Sequence, residues 1–206
     1  MFHVKQFQQA TGVSDDTLMR LQAYVALLEK WQRKINLVGG KTLPDLWRRH
    51  MLDSAQLYSL LPKPDCRLID LGSGAGFPGL VLAILGGPRV TLVESDGRKC
   101  AFLAEAMRVT ETGDSARLEN RRIEEVPPEV HDVVTSRALA PLPTLMELAR
   151  PFLGPDTVCL FPKGKKADEE LTETEKKWMM RVRKIPSQSD PSGTILRLTN
   201  TIRRDD

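Results

Sequence analysis

The centre of the chain carries residues whose types and spacing suit a nucleotide-like ligand. Residues 68–79 read LIDLGSGAGFPG, so an apolar run ends in Asp70 and a glycine-rich turn follows. The apolar run at 80–85 then predicts a buried helix. A strand, a glycine turn and a helix in this order bring a ligand close to free backbone N–H groups. The glycines of the turn are Gly72, Gly74, Gly76 and Gly79.

Two cofactor classes compete for this loop. Residues 74–79 spell the G-x-G-x-x-G pattern of dinucleotide folds. Asp70, however, stands where the strand ends, and its carboxylate would repel a pyrophosphate but could hold the ammonium group of S-adenosylmethionine. Glu94 closes the next predicted strand and can accept the ribose hydroxyls of either cofactor. The two acids favour S-adenosylmethionine over NAD, and a purely structural turn is the bland alternative.

The composition fits one α/β domain with a core of its own. The chain has 206 residues, of which 41% are hydrophobic and 28% charged, and its net charge of +3 permits a polyanionic partner without demanding one. Three separated cysteines and three histidines lack the spacing of metal ligands, so we expect no metal site and a reducing compartment. Neither a signal peptide nor a membrane span is evident, which predicts a cytoplasmic protein without membrane contact.

Periodicity divides the chain into a helical extension at 1–63 and a Rossmann-like domain at 64–206. The extension has a helix that begins after Ser14 and ends at Gly39–Gly40, and a second helix over about 44–61. Alternating strands and helices then predict a mainly parallel sheet, the class I S-adenosylmethionine-dependent methyltransferase fold, with a C-terminal antiparallel hairpin. Predicted strands are 67–71, 89–94, 116–119, 132–136, 157–161, about 184–188 and 194–201; predicted helices are 79–86, 97–109, 142–152 and 168–182.

Residues that follow the strands are the candidates for ligand contacts, because ligands of open α/β sheets bind beyond the carboxyl ends of the strands. Ile123 and Glu124 follow the third strand and could meet an adenine, although a solvated turn explains them equally well. Arg137 follows the fourth strand, where its guanidinium could hold the cofactor carboxylate or a substrate phosphate. A buried structural arginine is the alternative for that position.

Basic residues form several clusters that suit a phosphate backbone. Arg121 and Arg122 follow the third strand, and Lys163 and Lys165 follow the fifth. The predicted last helix carries a further basic face, for which simple solvation is the competing interpretation. His50 and Asp53 share a face of the second helix, where they could orient a ligand or form a satisfied polar pair.

The sequence lacks the catalytic motifs of two classes of nucleic-acid methyltransferase, which limits the atom that can be methylated. Ser136 and Arg137 stand where adenine amino-methyltransferases carry an Asn/Asp-Pro-Pro-Tyr/Phe patch, and no cysteine follows this strand to attack a pyrimidine. No acid–histidine arrangement is compelling as a general base. An acceptor atom with its own lone pair, such as guanine N7, needs no base, so positioning alone could supply the catalysis.

Seven stretches in order resemble the RsmG (GidB) family of bacterial 16S rRNA guanine-N7 methyltransferases over nearly the whole chain. They are WQRKINL at 31–37, RHMLDS at 49–54, the glycine loop, ESDGRK at 94–99, RIE at 122–124, SRA at 136–138 and KG at 163–164. The chain departs from the family in Val38, where threonine is common, and in Phe77, where many members have a smaller aliphatic residue.

The resemblance implies methyl transfer from S-adenosylmethionine to N7 of one guanine in 16S rRNA, either naked or within the small ribosomal subunit or its precursor. It implies cofactor contacts that match our own candidates, Arg137 included, and add Phe77; we also expect Arg137 to be the catalytic residue. No obligate protein partner is evident. Alternatives are an NAD-dependent oxidoreductase and a non-catalytic RNA-binding factor. Expected cofactor contacts are Asp70, Gly72, Gly74, Gly76, Phe77, Glu94, Ile123, Glu124 and Arg137; expected RNA contacts are Asn36, His50, Arg121, Arg122, Lys163 and Lys165.

Overall fold

The computed structural model describes residues 3–204. Two helices and a run of short helical turns precede an alternation of strands and helices. Within the described residues, no helix is long and apolar enough to span a membrane. The elements are α1 (Val4–Thr11), α2 (Asp15–Gln32), a 3₁₀ turn (Gly40–Asp45), a π-helical segment (Trp47–Leu52), α3 (Asp53–Ala55), a 3₁₀ turn (Tyr58–Leu60), β1 (Arg67–Leu71), α4 (Gly79–Leu85), β2 (Arg89–Glu94), α5 (Gly97–Val109), β3 (Ala116–Asn120), a 3₁₀ turn (Ile123–Glu125), β4 (Val133–Thr135), α6 (Leu142–Ala149), a 3₁₀ turn (Arg150–Phe152), β5 (Val158–Lys163), α7 (Ala167–Glu175), β6 (Trp178–Pro186) and β7 (Thr194–Arg203).

The seven strands form one sheet in the order β3-β2-β1-β4-β5-β7-β6. β1 to β5 run parallel, and β7 pairs antiparallel with both β5 and β6. The predicted mixed sheet with a C-terminal antiparallel hairpin is therefore confirmed. The chain order reverses between β1 and β4, so the crevice for a ligand is expected at the carboxyl ends of these two strands.

The N-terminal helices share a hydrophobic core with one face of the sheet. Leu21, Tyr24 and Leu28 of α2 are fully buried and belong to the same cluster as Leu80 of α4 and Phe102 of α5. The Tyr24 hydroxyl donates to the backbone carbonyl of Ala75 in the glycine loop. A second cluster fills the other face of the sheet, under α6 and α7. The extension thus supports the loop directly, and the division at residue 63 stays a prediction.

Two predicted helices are wrong, and the first helix of the extension ends at Gln32, before its predicted end at Gly39–Gly40. The stretch 44–61 is not one helix but a 3₁₀ turn, a π-helical segment, one turn of α-helix and another 3₁₀ turn. The predicted last helix ends at Glu175, and β6 begins at Trp178. Trp178, Met180 and Val182 contact the core beneath α6 and α7 while the residues between them are exposed, so the true period from 178 is two. The charged residues among them made this stretch look helical.

The end of β1 is tied to the start of α4 through a buried carboxylate. Asp70 is fully buried, and its Oδ2 accepts a hydrogen bond of 3.2 Å from the Gly79 N–H. Its Oδ1 is buried without a hydrogen-bond partner. A Cβ at Gly79 would lie 2.7 Å from both the Asp70 Cβ and the Leu92 Cδ2, so only glycine allows this approach. Burial raises the pKa of Asp70 to about 7, against the smaller opposing effect of the Gly79 N–H.

This shift predicts how Asp70→Asn changes the pH dependence of folding. The unfolded Asp70 loses its proton near pH 4 and the folded one near pH 7, so the wild type loses stability as pH rises between these values. The asparagine variant lacks this loss. Urea unfolding at pH 5 and pH 8 should therefore show the variant gaining about 3 kcal/mol relative to the wild type over this range. If the free energy of unfolding changed equally with pH in wild type and variant, the raised pKa of Asp70 would be contradicted. The control is Asp65→Asn, at an exposed position.

Candidate active site

The glycine loop presents open backbone at one position in particular. Gly74 has a φ of +57°, and a Cβ built there would meet no atom closer than 3.9 Å. Its N–H donates to the Glu94 Oε2 at 2.8 Å. Because the space beside Gly74 is empty and the residue lines two cavities, a side chain there would occupy the room of a ligand.

Glu94 ends β2 beside this loop. Its Oε1 accepts from the Asp96 N–H at 2.8 Å, so the two carboxylate oxygens fix both the glycine loop and the start of α5. The residue is mostly buried, and it lines the smaller of the two cavities. Each oxygen can still accept a further hydrogen bond, which suits the ribose hydroxyls expected from the sequence.

The smaller cavity has a volume of about 410 Å³ and lies beyond β2 and β3. Ile123 and Glu124, in the 3₁₀ turn after β3, line it opposite the glycine loop. Arg121 and Arg122 line the same cavity, and Arg121 pairs with Glu119 at 3.0 Å. The two arginines predicted to contact RNA thus lie on the side predicted to hold the cofactor.

The larger cavity has a volume of about 740 Å³ and lies between the N-terminal segment, the loop after β4 and the turn that joins β6 to β7. His50 and Asp53 line it from one side, and Lys163 lines it from another. The two cavities adjoin, because they share five lining residues: Gly72, Gly74, Arg137, Ala138 and Leu139. A ligand that fills one cavity can therefore touch a ligand in the other.

Arg137 lies at this boundary and is held from four directions. Its Nη2 lies 2.7 Å from the His50 Nδ1, and its Nη1 lies 3.1 Å from the Arg49 carbonyl oxygen and 3.3 Å from the Asp53 Oδ2. Its guanidinium carbon is 4.8 Å from the centre of the Phe77 ring. The sequence was compatible with a ligand contact or a buried structural role for Arg137. In the structure its side chain is 17% exposed and lines both cavities.

His50 can accept from Arg137 only as a neutral imidazole. Burial, followed by the charges of Arg137 and Arg49, lowers its pKa to about 3. Nδ1 then carries the lone pair that faces Arg137, and Nε2 carries the proton, which it donates to the Thr42 hydroxyl at 2.7 Å. The Thr42 hydroxyl in turn donates to the Gly39 carbonyl at 2.7 Å. This chain of donors fixes the tautomer of His50.

The π-helical segment supplies the carbonyl that Arg137 needs. In an α-helix the Asp53 N–H would donate to the Arg49 carbonyl, four residues earlier. Here it donates to the carbonyls of Arg48 and His50 instead, which leaves the Arg49 carbonyl available to Arg137. The irregular backbone that the sequence did not predict is thus the feature that directs three acceptors at one guanidinium.

Phe77 lines the larger cavity, whereas Asp70 lies behind the glycine loop. Phe77 is 3% exposed and stacks on His50 with ring centres 5.0 Å apart, so it serves Arg137 and His50 as a platform. Asp70 is completely buried and lines neither cavity, so in this structure its carboxylate supports the loop and is not presented to a ligand. Gly76, likewise buried, packs against Leu80, Tyr24 and Leu103.

The remaining predicted RNA contacts are not equivalent. The Lys163 side chain is 10% exposed and donates to the Ala140 carbonyl at 2.8 Å and to Glu170 at 2.9 Å, so it organises the loop that carries Arg137. Lys165 is exposed beyond β5. Asn36 is exposed and accepts from Gln32 at 3.4 Å, next to residues 37–39, which line the larger cavity.

Sequence reasoning missed the turn between β6 and β7 as a wall of the larger cavity. Ser189 donates to the Asp53 Oδ1, and Asp190 pairs with Arg49 at 2.6 Å. In sequence the segment reads SQSDPSG at 187–193, which signals a turn and nothing about its partners. Leu139, an exposed residue packed over Gly72 at the boundary of the cavities, also carried no signal.

No metal site is formed in the described part of the chain: no group of three or more histidine, cysteine, aspartate or glutamate side chains has the geometry to hold an ion. All three cysteines are buried and unpaired, as small hydrophobic residues would be. Burial raises the pKa of Cys159 to about 12, so this thiol is inert at neutral pH.

Comparison with solved structures identifies the fold. MtNAS, in complex with MTA and tNA, has a TM-score of 0.61 at 15% identity, covering 88% of this chain and 70% of that one. TYW2 of P. horikoshii, in complex with MeSAdo, has a TM-score of 0.55 at 18% identity, with 83% and 65% covered. The precorrin-6y C5,15-methyltransferase of Geobacter metallireducens has a TM-score of 0.52 at 14% identity, with 79% and 90% covered. The fold is that of class I S-adenosylmethionine-dependent methyltransferases.

Sequence comparison identifies the family. A family model named GidB and described as rRNA small subunit methyltransferase G matches residues 17–194. The ribosomal RNA small subunit methyltransferase G of Rhodospirillum rubrum is 58% identical over 192 residues, covering 93% of this chain and 94% of the relative. That of Rhodospirillum centenum is 56% identical over 198 residues, covering 96% and 91%. The chain belongs to the rRNA small subunit methyltransferase G (GidB) family.

Proposed function

We propose that this protein transfers a methyl group from S-adenosylmethionine to N7 of one guanine in 16S rRNA. The family supports an rRNA methyltransferase, and the fold supports the methyl donor. The identity of the methylated atom, guanine N7, needs an argument beyond the family and the fold. It is supported by the absence of a free general base among the described residues that line the larger cavity.

Every acid or histidine that lines the larger cavity within residues 3–204 is engaged by a partner. His50 and Asp53 face Arg137, Asp190 pairs with Arg49, and Glu170 binds Lys163 and the Leu142 N–H. An exocyclic amino group or a ring N–H must lose a proton when it is methylated, whereas guanine N7 offers a lone pair and loses none. A cavity without a free base therefore favours N7 over N1 and the exocyclic amino group, the two positions of the guanine base-pairing edge that carry protons.

The smaller cavity fits the cofactor. Glu94 can accept the ribose hydroxyls, Ile123 offers an apolar contact to the adenine, and the empty space beside Gly74 leaves room for the methionine chain to reach Arg137. S-adenosylmethionine supplies a methyl group bound to a positively charged sulfur. The target guanine would enter the larger cavity, so that its N7 faces this methyl group across the boundary at Arg137.

The role of the protein is then to position the methyl donor and the guanine. Methyl transfer to N7 moves the positive charge from sulfur to guanine: the N7–carbon bond forms, the carbon–sulfur bond breaks, and no proton leaves. We assign the cofactor carboxylate to the remaining N–H donors of Arg137, because this cation lies at the boundary and its orientation is fixed. Alignment of the reacting atoms supplies the rate.

The reaction is tested with radiolabelled S-adenosylmethionine and small ribosomal subunits from a strain that lacks this activity. Label in the 16S rRNA, mapped to a single guanine by cleavage at 7-methylguanine, is the expected result. Subunits from the methylated strain are the control and should accept none. Binding of the cofactor without label at any guanine N7 would contradict the proposal.

Gly74→Asp should abolish cofactor binding while the protein still folds. Aspartate tolerates a left-handed backbone, but its carboxylate would fill the cavity beside Glu94. Calorimetry with S-adenosylhomocysteine should show at least a hundredfold loss of affinity. The matched control is Gly12→Asp, which has a φ of +68° and equally open surroundings but lies at the end of α1. Wild-type affinity in Gly74→Asp would place the cofactor elsewhere.

Arg137→Ala should lower kcat/KM by about 10²-fold or more, because a charged, oriented donor is removed from the reacting centre. Arg137→Lys should restore little, since an ammonium group cannot match the planar fork. Asp53→Asn keeps a neutral acceptor at the same place, so its kcat/KM should lie between that of the wild type and that of Arg137→Ala. Kinetics with a circular-dichroism check of folding measure this series, and full activity in Arg137→Ala would make the arginine structural only.

A further inference from the structure

Three arginines lie on one face of the C-terminal hairpin, and we call them the arginine face: Arg181, Arg183 and Arg197. In the register of β6 and β7, Arg183 is directly opposite Arg197, and Arg181 is opposite Thr199. Arg181 and Arg183 are exposed, and Arg197 is half-buried. From the sequence, Arg181 and Arg183 are expected on the basic face of the predicted last helix together with Lys176, Lys177 and Lys184. In the structure both arginines lie on β6, and Lys184 lies on the opposite face of that strand.

The alternation of the strands shows which side this face occupies. Val182, Leu196 and Leu198 contact the core beneath α6 and α7, so the arginines between them point to the other side of the sheet. On that side, Ile185 and Ile195 still contact the core under the N-terminal helices. The arginine face begins where this cover ends.

The charge of the arginine face is not balanced within the described residues 3–204. Other basic residues of this region have partners: Lys184 pairs with Asp168 at 2.6 Å, Lys176 with Glu173 at 2.6 Å and Arg203 with Glu147 at 3.4 Å. None of the three arginines has an ion pair of this kind among those residues. Like charges directly opposite each other on two strands destabilise a sheet, so the pair Arg183–Arg197 costs stability until an anion binds.

The arginine face leads away from the larger cavity. Thr194 and Ile195, at the start of β7, line that cavity. Arg197 follows two residues later, roughly 7 Å along the strand. A chain of phosphates that leaves the cavity mouth along the hairpin would meet Arg197 and Arg183 first and Arg181 next.

We propose that the arginine face binds the phosphate backbone of the RNA that flanks the target guanine. This inference rests on the proposed function, since it needs an RNA whose guanine occupies the larger cavity. Guanidinium groups suit this partner, because their planar fork binds phosphate oxygens in pairs. The contacts carry no sequence information and fix the position of the RNA on the protein.

The double variant Arg183→Gln/Arg197→Gln tests the proposal. We expect about tenfold weaker binding at moderate salt both to naked 16S rRNA and to small subunits from a strain that lacks this activity. The slope of log affinity against log salt should fall by about one for each lost phosphate contact. Affinity for S-adenosylhomocysteine should stay at the wild-type value, because neither arginine lines the smaller cavity.

The matched control is Arg89→Gln/Arg108→Gln, which removes the same charge from exposed positions at the start of β2 and the end of α5. A second variant, Arg181→Gln/Arg183→Gln, alters exposed positions only and replaces the first one if the loss of the half-buried Arg197 disturbs folding. It should show the same loss of RNA affinity. Hairpin variants that bind RNA with the affinity and salt slope of the control would overturn the inference. If the wild type methylates no rRNA, the proposed function itself fails. If the wild type methylates rRNA and the hairpin variants bind RNA like the control, only the proposed role of the arginine face fails.

Discussion

The arrangement of the site depends on a neutral histidine beside a partly buried arginine. Arg137 needs an acceptor at 2.7 Å, and the His50 Nδ1 supplies it only while the imidazole is unprotonated. Burial and the two neighbouring guanidinium groups keep it so, with a pKa of about 3. Protonation of His50 would replace its hydrogen bond with Arg137 by repulsion between two positive charges. The same contact joins the N-terminal segment to the carboxyl edge of the sheet, and both cavities meet there.

Irregular backbone makes this contact possible. Because the π-helical segment shifts one hydrogen bond, the Arg49 carbonyl is free to join His50 and Asp53 around the guanidinium. Single π turns of this kind occur often at functional sites, where their cost must be compensated. The turn between β6 and β7 reinforces the segment through Ser189 and Asp190. One wall of the larger cavity is thus built from the N-terminal segment and the turn between β6 and β7, which contact each other through Asp53 and Arg49 beside Arg137.

The sequence predicted the parallel part of the fold closely. The bounds of β1, β2 and α5 are those expected, because buried strands and an N-capped helix have strong local patterns. Residues 44–61 and 178–182 were predicted wrongly, because their tertiary contacts are not visible in the local pattern. The Arg49 carbonyl of the first stretch binds Arg137, and the second stretch packs on the core under α6 and α7.

The site was predictable in its residues more than in its roles. The glycine loop, Glu94 and Arg137 do come together at the ends of the strands, as their positions require. The sequence did not indicate that Lys163 anchors the loop after β4 or that the Asp70 carboxyl holds the start of α4; the predicted contacts of both residues with ligands stay predictions. The sequence shows that Lys163 and Asp70 can carry a charge, but not that Glu170 and the Gly79 N–H are their partners.

A crystal structure with S-adenosylhomocysteine is the most direct test of the division into two cavities. The account predicts adenine against Ile123 and ribose on Glu94, with the sulfur at the boundary near Arg137 and the larger cavity open for guanine. A ligand whose adenine lies in the larger cavity, beneath the turn between β6 and β7, would contradict it.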